Sequence, residues 1–91
     1  MSRYYRLVVR TKNTKKEELK KILVDKFGWE ENFICDDEFE GEGCLCGGMG
    51  EEEAHKEISD EIKKLNPKAE VSTRWTNLED MPFEEYGDVV E

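Results

Sequence analysis

Long apolar runs are missing from this 91-residue chain, and none approaches the roughly 18 consecutive apolar residues of a membrane-spanning helix. The opening Met1-Ser2-Arg3-Tyr4-Tyr5-Arg6 lacks the apolar core of a secretory signal, so a cytoplasmic location with no membrane partner is expected. Cysteine is scarce and odd in number: Cys35, Cys44 and Cys46, two of them separated by a single residue, do not make a disulfide framework. The single histidine, His55, has no Ser or Asp beside it in a catalytic arrangement, and no enzyme is expected. Basic residues are absent between Glu30 and Glu53, where ten acids occur, so nonspecific nucleic-acid binding by that stretch is unfavourable.

What is present is unevenly spread. The net charge is −9, yet residues 1–28 carry nine Lys or Arg against three acids, while residues 29–91 carry five against twenty. At 36% hydrophobic and 41% charged residues the composition leans toward disorder, but nine aromatics and a periodic apolar pattern decide for a folded domain. One core fits in a chain of this length.

Tyr4 to Arg10 alternates, with Tyr5, Leu7 and Val9 opposite Tyr4, Arg6, Val8 and Arg10, as a half-buried strand does. Thr14-Lys15-Lys16-Glu17 has the form of a capping box, and Leu19, Ile22, Leu23 and Phe27 follow at helical spacing up to Gly28, a C′ glycine. Asn32 to Phe39 and Gly43 to Gly47 read as a hairpin turning at Glu40-Gly41-Glu42. A second helix starts at the glycines before Glu51, places Ala54, Ile58, Ile62 and Leu65 on one face, and closes at Asn66-Pro67. Ala69 to Trp75 alternates again. The order β-α-β-β-α-β predicts an α+β, ferredoxin-like sandwich: residues 1–76 as a four-stranded antiparallel sheet with two helices on one face. Residues 77–91 are expected to form an acidic, irregular C-terminal tail docked on the domain by Leu78, Met81, Phe83 and Tyr86.

Candidate sites are weak. Cys44 and Cys46 would share one face of a strand about 7 Å apart, and Cys35 with His55 could complete a zinc or thiol site. A C-x-C in a strand more often supplies small apolar side chains, so no metal or other cofactor is expected. The run from Asp36 resembles a calcium loop as far as Gly41, but its twelfth position is Gly47 where a bidentate Glu is required. Gly47-Gly48-Met49-Gly50 precedes a helix as phosphate loops do, but three glutamates follow it and would repel an anion.

Surfaces remain. The open sheet face would carry Tyr4, Arg6, Arg10 and Arg74, a small-ligand or RNA-binding alternative that lacks the stacking pattern of RNA-recognition modules; the same face could form a homodimer contact. The leading expectation is a small, acidic, non-enzymatic protein-binding module that docks on a basic, nucleic-acid-binding partner. In size and charge it is similar to inhibitors of the DNA-mimic kind, such as phage anti-defence proteins. Its recognition residues would be Asp36, Asp37, Glu38, Glu40 and Glu42 on the hairpin, with Glu79, Asp80, Glu84 and Glu85 in the tail.

Overall fold

The computed structural model describes residues 3–45, 50–77 and 83–87. In chain order the elements are β1 (Arg3–Lys12), α1 (Lys16–Lys20) running into a π-helical segment (Lys21–Lys26), β2 (Glu30–Ile34), β3 (Glu38–Leu45), α2 (Glu51–Leu65), β4 (Glu70–Asn77) and β5 (Phe83–Gly87). All neighbouring strands are antiparallel, in the order β2-β3-β1-β4-β5.

This sheet corrects the four-stranded ferredoxin-like expectation. A fifth strand, β5, lies in the segment expected to be irregular tail, and it pairs with β4 from Ser72↔Gly87 to Thr76↔Phe83. Two adjacent glutamates and a glycine hide the strand character of Phe-Glu-Glu-Tyr-Gly. What selects it is the partner: without β5, β4 would present an unpaired edge, and pairing satisfies those backbone groups.

The hairpin is also placed differently. Its turn is Cys35–Asp37, and Glu40-Gly41-Glu42 lies inside β3. Gly41 and Gly43 are small because of what packs over them. A Cβ on Gly41 would stand 2.4 Å from the Glu30 carbonyl oxygen and 2.7 Å from the Phe39 ring, and one on Gly43 would stand 2.6 Å from the Trp29 ring. The acids that weaken the strand pattern hold the turn together. Asp36 Oδ1 accepts the backbone N–H of Lys16 at 3.0 Å, satisfying an open donor at the start of α1, while Thr14 Oγ1 donates to the Asp36 carbonyl at 2.6 Å. The capping box is therefore one residue later than its sequence form: the Lys15 N–H donates to Glu18 Oε1 at 3.0 Å, and Thr14 serves the turn.

Helix one changes character midway. The Phe27 N–H bonds the Ile22 carbonyl five residues back at 3.0 Å, a wider turn that leaves Phe27 half-buried, before Gly28 ends the segment at φ +78°. Helix α2 buries Ala54, Ile58 and Ile62 but leaves Leu65 exposed.

One core results. Tyr5, Leu7 and Val9 of β1, Phe39 of β3 and Val71, Thr73 and Trp75 of β4 meet Leu19, Ile22 and Leu23 from the first helix and Ala54, Ile58 and Ile62 from α2. Trp75 lies edge-on to Tyr5 at 6.0 Å and to Trp29 at 5.5 Å between ring centroids, and each such pair contributes about 0.5–1.5 kcal/mol beyond its buried area. Because β-strand side chains alternate, burying this set turns Tyr4, Arg6, Val8, Arg10, Glu38, Glu40, Glu42, Cys44, Ser72 and Arg74 to the opposite face.

Candidate binding face of the sheet

The outward face is organised in cross-strand rows. One runs Phe33, Glu40, Val8, Arg74 and Glu85; the next begins with Glu30, Glu42, Arg6 and Thr76; a third holds Glu38, Arg10 and Ser72. Tyr4 stands opposite Cys44 at one end of the face, and Lys12 stands opposite Glu70 at the other.

Three arginines and their glutamates fall in register because both sets sit on outward positions of antiparallel neighbours. Arg6 pairs with Glu40 at 4.0 Å and Glu42 at 3.5 Å, Arg10 with Glu38 at 3.3 Å, and Arg74 with Glu85 at 3.3 Å. All are open to solvent, so each contributes at most about 1 kcal/mol. Their larger consequence is electrostatic: the arginines of the small-ligand alternative are already spoken for. Against Arg6, Arg10, Lys12 and Arg74 the described outward positions set Glu30, Glu38, Glu40, Glu42, Glu70 and Glu85.

The excess of acid lies toward β2. A shift of register between Glu31 and Phe33 brings Glu30, Asn32 and Phe33 to this face, Phe33 at 47% exposure, and the Asn32 amide donates to Glu42 Oε2 at 3.0 Å. Glu30 stands directly opposite Glu42, a like-charge pair across the ladder, and has no cation within ion-pair distance among the described residues. The Tyr4 hydroxyl holds its proton above the usual phenol range, first because neighbouring groups keep water from it and then because the carboxylates of Glu42 and Glu30 oppose a third negative charge.

The other predicted recognition acids are placed apart. Asp36 caps α1, and Asp37 Oδ1 accepts the Cys35 thiol at 3.0 Å while its carbonyl accepts the Thr11 N–H at 2.8 Å. Glu79 and Asp80 lie outside the described residues, and Glu84 belongs to β5.

The two described thiols, Cys35 and Cys44, do not converge. Cys35 bonds the Glu38 carbonyl through its N–H, and Cys44 lies six residues farther along β3, about 20 Å away at strand rise. Cys46 lies outside the described residues, as does 47–49 of the glycine-rich stretch. Among the described residues no three His, Cys, Asp or Glu side chains form a group that could hold a metal ion. No helix among them is long and apolar enough to cross a membrane.

His55 is more than a helix-surface residue. Its Nδ1 lies 2.9 Å from Thr73 Oγ1, which also accepts the indole N–H of Trp75 at 2.8 Å, and its ring lies over Tyr86 of β5 at 6.2 Å. Tyr5 donates its hydroxyl to Glu51, one helical turn before His55. These bonds tie the start of α2 to β1 and β4. A signal existed in the spacing, since Glu51 and His55 at i and i+4 share the helix edge that adjoins the buried face.

Between the π segment and α2 an open cavity of about 570 Å³ is lined by Lys26, Phe27, Glu57, Asp60 and Glu61, with Lys63 and Lys64. Glu61 Oε1 takes Lys26 at 2.7 Å and Lys64 at 3.1 Å, so the lining carries balanced charge. No protein-family model, curated protein or solved structure matches this chain.

Proposed function

We propose that the protein is a cytoplasmic, non-enzymatic binding module whose outward sheet face docks on the basic surface of another protein, acting as an inhibitor of the DNA-mimic kind. The observation that carries this reading is the excess of glutamate on the broad, solvent-facing side of the five-stranded sheet. Glu38, Glu40 and Glu42 repeat at about 7 Å along β3, an ordered negative row held on a strand paired on both sides, by β2 and β1. That row is sparser than a DNA strand, with its one charge per ~3.4 Å, and arginines separate it from the acid of β5. A protein surface with its own spaced cations suits it better than a continuous polycation.

Of the acids first considered, Glu38, Glu40, Glu42 and Glu85 belong to this face, whereas Asp36 and Asp37 hold the hairpin turn. Association with such a face is steered by charge and weakens steeply with salt. The test is capture from a native lysate with the wild type and the Glu40→Gln/Glu42→Gln variant, at low and high salt. Recovery of a basic nucleic-acid-binding protein, released by salt and lost with the variant, is the expected result. Capture indifferent to both salt and variant would end the reading.

A further inference from the structure

Resting on that docking reading, we infer that the β2 side of the outward face, between Tyr4, Glu30, Phe33 and Glu42, seats an arginine side chain projecting from the partner's basic surface. Charge is the first argument. Glu30 and Glu42 oppose each other across β2 and β3, and among the described residues the one cation within ion-pair distance of either, Arg6, serves Glu42 at 3.5 Å and Glu40 at 4.0 Å. Like charges directly opposite destabilise a ladder, so an incoming cation at Glu30 relieves a repulsion that the isolated protein retains.

Shape selects the cation. Tyr4 at 38% and Phe33 at 47% exposure are two of the three large hydrophobic side chains exposed among the described residues, and both flank these carboxylates on the same face. A guanidinium is planar, weakly hydrated and able to stack on an aromatic ring while its N–H groups reach carboxylates; an ammonium is a compact, strongly hydrated point charge. The protein already pairs a guanidinium with carboxylates on this face, holding Arg6, in the same row as Glu30, between Glu42 and Glu40. Tyr4 reports the local environment, since its proton is held first by partial desolvation and then by the carboxylates of Glu42 and Glu30. A second copy of the chain is a poor occupant, because two faces with the same excess of acid repel each other.

The experiment titrates the full chain, labelled at tyrosine for NMR, with a short arginine-rich peptide and with its lysine counterpart at low salt. Shifts centred on Tyr4, with its hydroxyl titrating at lower pH in the complex, and an arginine preference of about two- to fivefold are expected. Glu30→Gln and Phe33→Ala should each weaken the arginine peptide and narrow that preference while far-UV circular dichroism stays unchanged. If both peptides bind with salt-sensitive affinity but neither variant matters, the arginine seat is wrong and the broader docking reading stands. If neither peptide nor any lysate protein binds at low salt, both fail. Self-association that produces the Tyr4 shifts without peptide would overturn the seat in favour of a homodimer.

Discussion

Replacing Thr73 by Val should cost the protein more than its shape suggests. Thr73 and Trp75 are fully buried, and the Thr73 hydroxyl oxygen accepts the Trp75 indole N–H at 2.8 Å while lying 2.9 Å from His55 Nδ1. An indole N–H can only donate, so with that bond in place the threonine proton is available to the imidazole nitrogen, and one hydroxyl serves both rings. Valine fills the same volume and favours a strand at least as well, which leaves the lost hydrogen bonds as the difference. A buried donor without an acceptor costs about 1–3 kcal/mol. For a domain of this size each kcal/mol lowers Tm by roughly 4–8 °C. Thr73→Ser keeps the oxygen and gives up one methyl, a loss near 1 kcal/mol. Urea unfolding followed by tryptophan fluorescence should therefore rank the proteins wild type, Ser, Val, with an unchanged m value. Combining His55→Ala with Thr73→Val in a double-mutant cycle assigns the share of each bond. A Val variant as stable as the Ser variant would refute the claim that this hydroxyl holds the tryptophan and the helix.

Asp36→Ala should lower stability by about 0.5–2 kcal/mol in the same assay, because it uncovers the Lys16 N–H at the start of α1. Gly41→Ala should cost at least about 1–3 kcal/mol, since its Cβ meets the Glu30 backbone carbonyl, and hydrogen exchange should show β2 loosened before β1 or β4. Glu61 is held below the usual carboxylate range by hydrogen bonds from Lys26 and then Lys64, against a partial desolvation. A carboxyl depressed on folding lends stability above its unfolded pKa and loses it as pH falls through the acid range. Carboxyl NMR titration should therefore find Glu61 below the usual glutamate range, and Lys26→Met should move it upward.

The alternating and helical runs were legible because their pattern and their environment agree. Tyr5-Leu7-Val9 and Val71-Thr73-Trp75 bury the residues that period two assigns to one face, and Ala54-Ile58-Ile62 does the same at helical period. Failures occurred where a residue's reason lies on another element. Gly41 suggested a turn and Gly43 the start of a strand, but each is small because Phe39, the Glu30 backbone or Trp29 crosses it, a tertiary demand that local chemistry does not encode. Asp36 looked like surface charge and is a cap for a helix twenty residues away. β5 looked like tail because its strand preference is weak and the bare edge of β4 supplies the rest.

The outward face of the sheet follows the same logic. Charge counting located the acid but not its neighbours, since the pairing of Arg6 with Glu40 and Glu42 depends on a register of β1 and β3 that the misplaced turn had hidden. Phe33 was invisible as a surface residue for a related reason: the register shift after Glu31 turns it outward, against the simple alternation that would pair its fate with Glu31. A slip of one residue moves every side chain of a strand to the other face, so the bulge decides whether β2 offers an aromatic beside Glu30 or buries it. The recognition proposed for this face consequently depends on strand register before it depends on composition.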